Sequence, residues 1–103
     1  MAGPPDRERL WWSWWRTDGQ DAMTRLLREH WNPIGDVPAD EYAGYATRIG
    51  GLLREGVSEE ELARFLADAR TGAMGQPPHP EEDGRVAALA REWYSAVRPD
   101  IAG

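Results

Sequence analysis

The chain has 103 residues and a net charge of −6, with 41% hydrophobic and 29% charged side chains. Those values describe one folded domain and exclude a disordered chain. The absence of cysteine excludes disulfides and thiolate metal sites, and an acidic chain lacks the basic surface a nucleic-acid binder needs to displace counterions.

All twelve basic residues are arginine, Asn and Phe occur once each, and Ala, Gly and Pro are plentiful. This bias fits a high-GC bacterial genome. No apolar run reaches the length of a bilayer span or reads as a secretory leader, so a soluble cytoplasmic protein is expected. Strand signals are nearly missing, whereas helical periodicity occurs five times. The expected fold class is all-α: a compact bundle of four to five short helices in a single domain, residues 1–103. Within it, residues 1–17 form a Trp-rich N-terminal helix, residues 18–76 a core and residues 77–103 a C-terminal helix.

The first predicted helix spans about Asp6 to Arg16 and follows Pro4 and Pro5, which suit a first turn. Leu10, Trp11, Trp14 and Trp15 share one arc, and Trp12 falls outside it. The second spans about Asp18 to Trp31, with Thr17 and Gln20 as a capping box. Its face is Met23, Leu26, Leu27, His30 and Trp31, with His30 expected as a hydrogen-bonded core residue. Asn32-Pro33-Ile34-Gly35 stops it, because a residue before proline leaves helical space.

The third runs from about Ala39 to Arg54 on the stripe Tyr42, Tyr45, Ala46, Ile49, Leu52 and Leu53, and Gly56 closes it. Asp40, Gly44, Thr47, Arg48 and Gly51 lie off that stripe, beside Ala43 and Gly50. Glycine inside a helix costs about 1 kcal/mol relative to alanine, so three of them invite a reason. Close packing of the tryptophan helix over this smooth side is the expectation, against simple tolerance on an exposed face. The fourth helix, about Glu59 to Arg70, opens on the capping box Ser58-Glu59-Glu60-Glu61 and buries Leu62, Phe65, Leu66 and Ala69, with Gly72 as its end. After a Gly- and Pro-rich loop, the fifth runs from about Glu81 to Arg98 on Val86, Leu89, Ala90, Trp93 and Val97. His79 reads as a loop or cap residue.

Three stretches also carry a family pattern: Trp31-Asn32-Pro33-Ile34-Gly35, then Glu41-Tyr42-Ala43-Gly44-Tyr45, then Ser58-Glu59-Glu60-Glu61-Leu62 followed by Met74-Gly75. The span from Leu26 to Gln76 thereby resembles a group of small bacterial proteins of unassigned function that share W-D-P-I-G, E-Y-x-x-Y, S-E-E-E and M-G in that order. The resemblance implies a helical fold and no reaction. Asn32 stands where the group usually has Asp, which weakens any carboxylate role at that turn.

Candidate partner- or ligand-binding residues are Trp11, Trp12, Trp14, Trp15, Trp31, Glu41 and Tyr45. Tryptophan and arginine are enriched in binding hot spots, but tryptophan is also heavily buried on average, so the same cluster reads equally as core. Asp36, Asp40 and Glu41 beside Tyr42 and Tyr45 could do acid–base chemistry, although acids at a helix start more often serve the helix. No catalytic residue, metal site or cofactor is expected, and no nucleotide loop or nucleophile motif is present. The expected function is a non-catalytic protein-binding module, an immunity-type or regulatory partner protein or a homodimer. Its partner is a protein, and the acidic surface suits a basic one. The alternative is a binder of a small apolar ligand, or a small enzyme of secondary metabolism, with a Trp-lined pocket. A membrane-surface role is disfavoured by the acidic remainder of the chain.

Overall fold

A computed structural model describes residues 4–31 and 39–98, all but a few of them helical and none in a strand. The elements are α1 (Pro4–Trp14), a π-helical turn (Trp15–Gly19), α2 (Gln20–His30), α3 (Ala39–Glu55), α4 (Glu59–Asp68), a second π-turn (Ala69–Ala73) and α5 (Pro80–Val97). The all-α expectation holds. The Asn32–Gly35 stop and Asp36 lie outside the described residues.

The expected break between the first two helices is absent. α1, the π-turn and α2 form one rod of eleven, five and eleven residues, about 40 Å long at 1.5 Å per residue. Thr17 does not cap anything. Its hydroxyl lies 3.1 Å from the carbonyls of both Ser13 and Trp14, a bond back into its own helix. Gln20 also abandons the capping role and reaches across to α3. Nothing in Thr17-Asp18-Gly19 forces a helix to stop, and the π-turn absorbs an extra residue without breaking the rod. The fourth helix likewise passes the expected stop at Gly72 through its own π-turn.

Two termini follow the sequence reading closely. Gly56 takes φ +78°. Its N–H donates to Leu53 and that of Val57 to Leu52, at 3.0 and 3.3 Å, which satisfies two carbonyls at the end of α3. At α4 the capping box is reciprocal: Glu61 N–H donates to Ser58 Oγ (3.1 Å) and Ser58 N–H to Glu61 Oε1 (3.3 Å).

Cross-contacts fix the topology. Glu8 meets Arg54, and Gln20 meets Ala43, so α3 runs antiparallel to the rod. Trp31 meets Asp83 and Trp11 meets Tyr94, so α5 is antiparallel to it as well. Arg70 near the end of α4 meets Glu82 and Asp83 at the start of α5, which makes those two an antiparallel pair. The core threads Met23, Leu27, Ala46, Ile49, Leu62, Leu66, Val86 and Ala90 between them.

Three stripe residues depart from expectation. Leu10 is 55% exposed and Val97 is 42% exposed, so neither joins the core. His30 is exposed too. The buried arc of α2 centres on Met23, Leu27 and Trp31, and His30 lies at its margin in the last turn.

Candidate functional site

The aromatic side chains form two groups of ring contacts at opposite ends of the bundle. One gathers Trp11, Trp12, Trp14 and Trp15 with Trp93 and Tyr94 of α5. Trp11 stacks on Trp15 with centroids 5.5 Å apart and planes 5° from parallel. Trp14 stacks on Trp93 at 6.3 Å, and Trp15 meets Trp93 edge-on at 5.9 Å. Trp12 meets only the edge of this layer, crossing Trp11 at 82°.

Trp11 and Trp15 are buried, while Trp12 and Trp14 are half-buried. The buried pair is polar-satisfied, as interior indoles usually are. Trp11 Nε1 donates to the Tyr94 hydroxyl (2.9 Å) and Trp15 Nε1 to Gln20 Oε1 (2.7 Å). Gln20 Nε2 in turn donates to the Ala43 carbonyl (2.8 Å), and the Thr47 hydroxyl lies 3.1 Å from Gln20 Oε1. The Arg54 guanidinium sits 5.9 Å from the Trp11 ring centre, a cation–π distance.

Only part of the smooth side of α3 receives a tryptophan. Trp15 lies against Gly19 and Gly50, and a Cβ on Gly50 would stand 2.5 Å from Trp15 Cε2. Gly44 and Gly51 face open space. The tryptophan turn therefore explains Gly50 and not the other two.

The second group is Trp31, Tyr45 and Phe65. Trp31 crosses Tyr45 edge-on at 5.6 Å, and Tyr45 meets Phe65 at 6.4 Å. Trp31 is fully buried and Tyr45 half-buried, while Glu41 and Asp40 are exposed at the start of α3. Burial holds the Tyr45 hydroxyl above its ordinary pKa, with the Glu41 carboxylate adding to the rise and Arg48 opposing it. Tyr42 is raised for the same first reason, with Arg28 opposing and Glu82 adding. No hydrogen bond joins Glu41 to Tyr45 among the described contacts.

Behind Trp31 lies a constellation that the sequence reading missed. Its indole Nε1 donates to Asp83 Oδ1 (2.8 Å), and Arg70 donates to the same oxygen through Nε (3.0 Å) and Nη2 (2.9 Å). Arg70 Nη2 also donates to Glu82 Oε2 at 2.5 Å, and the guanidinium lies 5.8 Å from the Trp31 ring centre. Asp83 is 2% exposed and Arg70 is equally enclosed. Three donors meet Oδ1, while the buried Oδ2 has none. Burial alone would push the Arg70 guanidinium down, but its hydrogen bonds to Glu82 and Asp83, and their charges, hold it above its ordinary value.

The sequence did carry a signal for this pair. Asp83 lies three residues before Val86 and seven before Ala90 on the same stripe, and Arg70 lies four after Leu66. Two opposite charges each sitting on an apolar stripe are candidates for pairing inside the core. His79 fulfils its cap reading: Glu82 N–H donates to its Nδ1 (3.2 Å) at the start of α5.

No group of three or more His, Cys, Asp or Glu that could hold a metal ion occurs among the described residues. Among the same residues, no helix is long and apolar enough to cross a membrane. No protein-family model, curated protein or solved structure matches the chain.

The remaining chemistry is a surface. Trp14 touches Trp93 and Trp11 touches Tyr94 in antiparallel helices, so Leu10, one turn before Trp14, and Val97, one turn after Trp93, lie toward the same end of the bundle. Leu10 and Val97 are the large hydrophobic side chains left exposed among the described residues. The half-buried Trp14 and Trp93 lie one turn further into the bundle on the same two helices.

Proposed function

We propose that this chain is a non-catalytic interaction module of a bacterial cytoplasm, an immunity-type or regulatory protein that docks through the α1–α5 seam. The supporting observation is a set of apolar side chains at one end of the bundle: Leu10 and Val97 stand exposed, one helical turn beyond the half-buried Trp14 and Trp93. Exposed apolar side chains scattered singly need no explanation, but several gathered at one end fit a contact face. The contact partner is a protein face of low net charge, because Leu10 and Val97 are apolar.

The ligand-binding alternative has less support. Its pocket would need Trp11, Trp14 and Trp15 together with Trp31 and Tyr45, and these belong to separate ring groups. The Trp15 ring already fills the space against Gly50, with Trp11 stacked on it.

The test compares immobilised wild type with Leu10→Glu. Proteins of a bacterial lysate retained by the wild type and released by Leu10→Glu support the reading, and identical retained sets from both would sink it. Because Leu10 is exposed, the variant should keep its helicity and melting temperature.

A further inference from the structure

We propose that His79 is a proton-sensitive catch at the α4–α5 junction, which orders Glu82 for its ion pair with Arg70 only while the imidazole is neutral.

A backbone N–H can only donate. Glu82 N–H points at His79 Nδ1 (3.2 Å), so that nitrogen is a bare acceptor and the ring proton sits on Nε2. Glu82 is the third residue of α5, and an N–H in a first turn has no partner within its own helix. His79 satisfies it. The backbone of His79 is fixed at the same place, with φ −146° and ψ 70°, and its carbonyl accepts the first helical bond from Asp83 N–H (3.1 Å).

Ser58 caps α4 with a hydroxyl, which accepts across the whole neutral range. An imidazole differs. It takes up a proton within roughly pH 5–8, and the protonated ring has two donors and no acceptor. Protonation therefore breaks the bond to Glu82 N–H and turns a donor toward the positive end of a helix. His79 is exposed, so solvent reaches the ring and the ring has room to turn.

The surrounding charges decide where it turns. Glu81, Glu82 and Asp83 occupy the first turn of α5. Asp83 is enclosed, and its Oδ1 is taken by Trp31 and Arg70. Arg70 reaches Glu82 Oε2 from the π-turn after α4 (2.5 Å), and Arg85 lies 3.9 Å from Glu82 Oε1. Tyr42 of α3 senses both Glu82 and Arg28 of α2. Among the described residues of that first turn, the carboxylates open to a protonated His79 are those of Glu81 and Glu82. Glu82 is the one Arg70 uses. One proton thus converts His79 from the group that orders Glu82 into a rival of Arg70 for its carboxylate. The new attraction offsets the lost cap, so the change is a local rearrangement and not an unfolding.

Nuclear magnetic resonance of the full chain from about pH 8 to pH 5.5 tests this. Exchange protection of the Glu82 amide, taken relative to an unstructured chain at the same pH, should fall about fivefold, the ratio equivalent to a cap of about 1 kcal/mol. The fall should share its midpoint with the His79 ring protons, and the Arg70 Nε–H signal should shift at that midpoint. His30, exposed on the last turn of α2, titrates with separate ring signals and should leave Glu82 unmoved. His79→Asn keeps a neutral acceptor at the cap and should hold Glu82 protection constant. Protection of Glu82 that survives the His79 titration overturns the proposal. So does an equal fall in His79→Asn, or an Arg70 signal that does not move.

Discussion

The two tryptophan regions solve the burial of an indole in opposite ways. At one end, Trp31 is the single indole, edge-on to Tyr45, and it hands its N–H to a buried carboxylate, which Arg70 neutralises. At the other, Trp11, Trp14, Trp15 and Trp93 bury one another, and the N–H groups of Trp11 and Trp15 reach a tyrosine and a glutamine. A region built on a buried ion pair is rigid and intolerant, because removing either charge strands the other. A region built on ring-on-ring contact can thin out from core to surface without leaving an unpaired charge. That is why the exposed Leu10 and Val97 lie beyond the tryptophan layer and not at the Trp31 end.

Substitutions should separate the two regions by size of effect. Arg70→Ala leaves Asp83 charged and unpaired in the core and should destabilise by about 3–5 kcal/mol. Trp31→Ala should cost a similar amount through its cavity. Urea unfolding of both variants measures this, and a loss under about 1 kcal/mol for Arg70→Ala would mean that Asp83 finds other donors. Next comes the close approach under Trp15. Gly50→Ala should destabilise by about 1–3 kcal/mol through overpacking, while Gly44→Ala and Gly51→Ala should stabilise by up to about 1 kcal/mol each. Equal shifts in melting temperature for all three would show that the ring yields freely.

Trp12→Ala should cost least, about 0.5–1.5 kcal/mol, since it forfeits one edge contact with Trp11. Alkali supplies a comparison without mutation. Tyr42 and Tyr45 are raised above the ordinary tyrosine value of 10.0 by burial. A folded-state value above the unfolded one gives stability that is intact below pH 10 and lost as pH rises beyond it. Denaturant melts at rising pH, followed beside phenolate absorbance, should show stability falling only once ionisation begins. A flat stability through the ionisation range would mean that both hydroxyls are effectively solvated.

Local rules made much of the fold legible. The Gly56 terminus, the Ser58–Glu61 box, the His79 cap and the stripes of α3 and α4 each depend on residues within a few positions of one another, where propensity and geometry act alone. The same locality explains the misread break at Thr17. A capping pattern is permissive, and whether the chain uses it depends on what the alternative offers. Here the alternative places Gln20 against Ala43 and Trp15 over Gly50, contacts more than twenty residues away.

The sequence by itself determined that this chain is helical, where three of its termini fall and which faces are apolar, because those properties repeat every turn. Only the tertiary structure decided which tryptophans are core and which are rim, that Arg70 and Asp83 meet inside, and that Leu10 and Val97 are left in solvent. Those outcomes depend on how antiparallel helices register against one another, and no single helix encodes its neighbour's register.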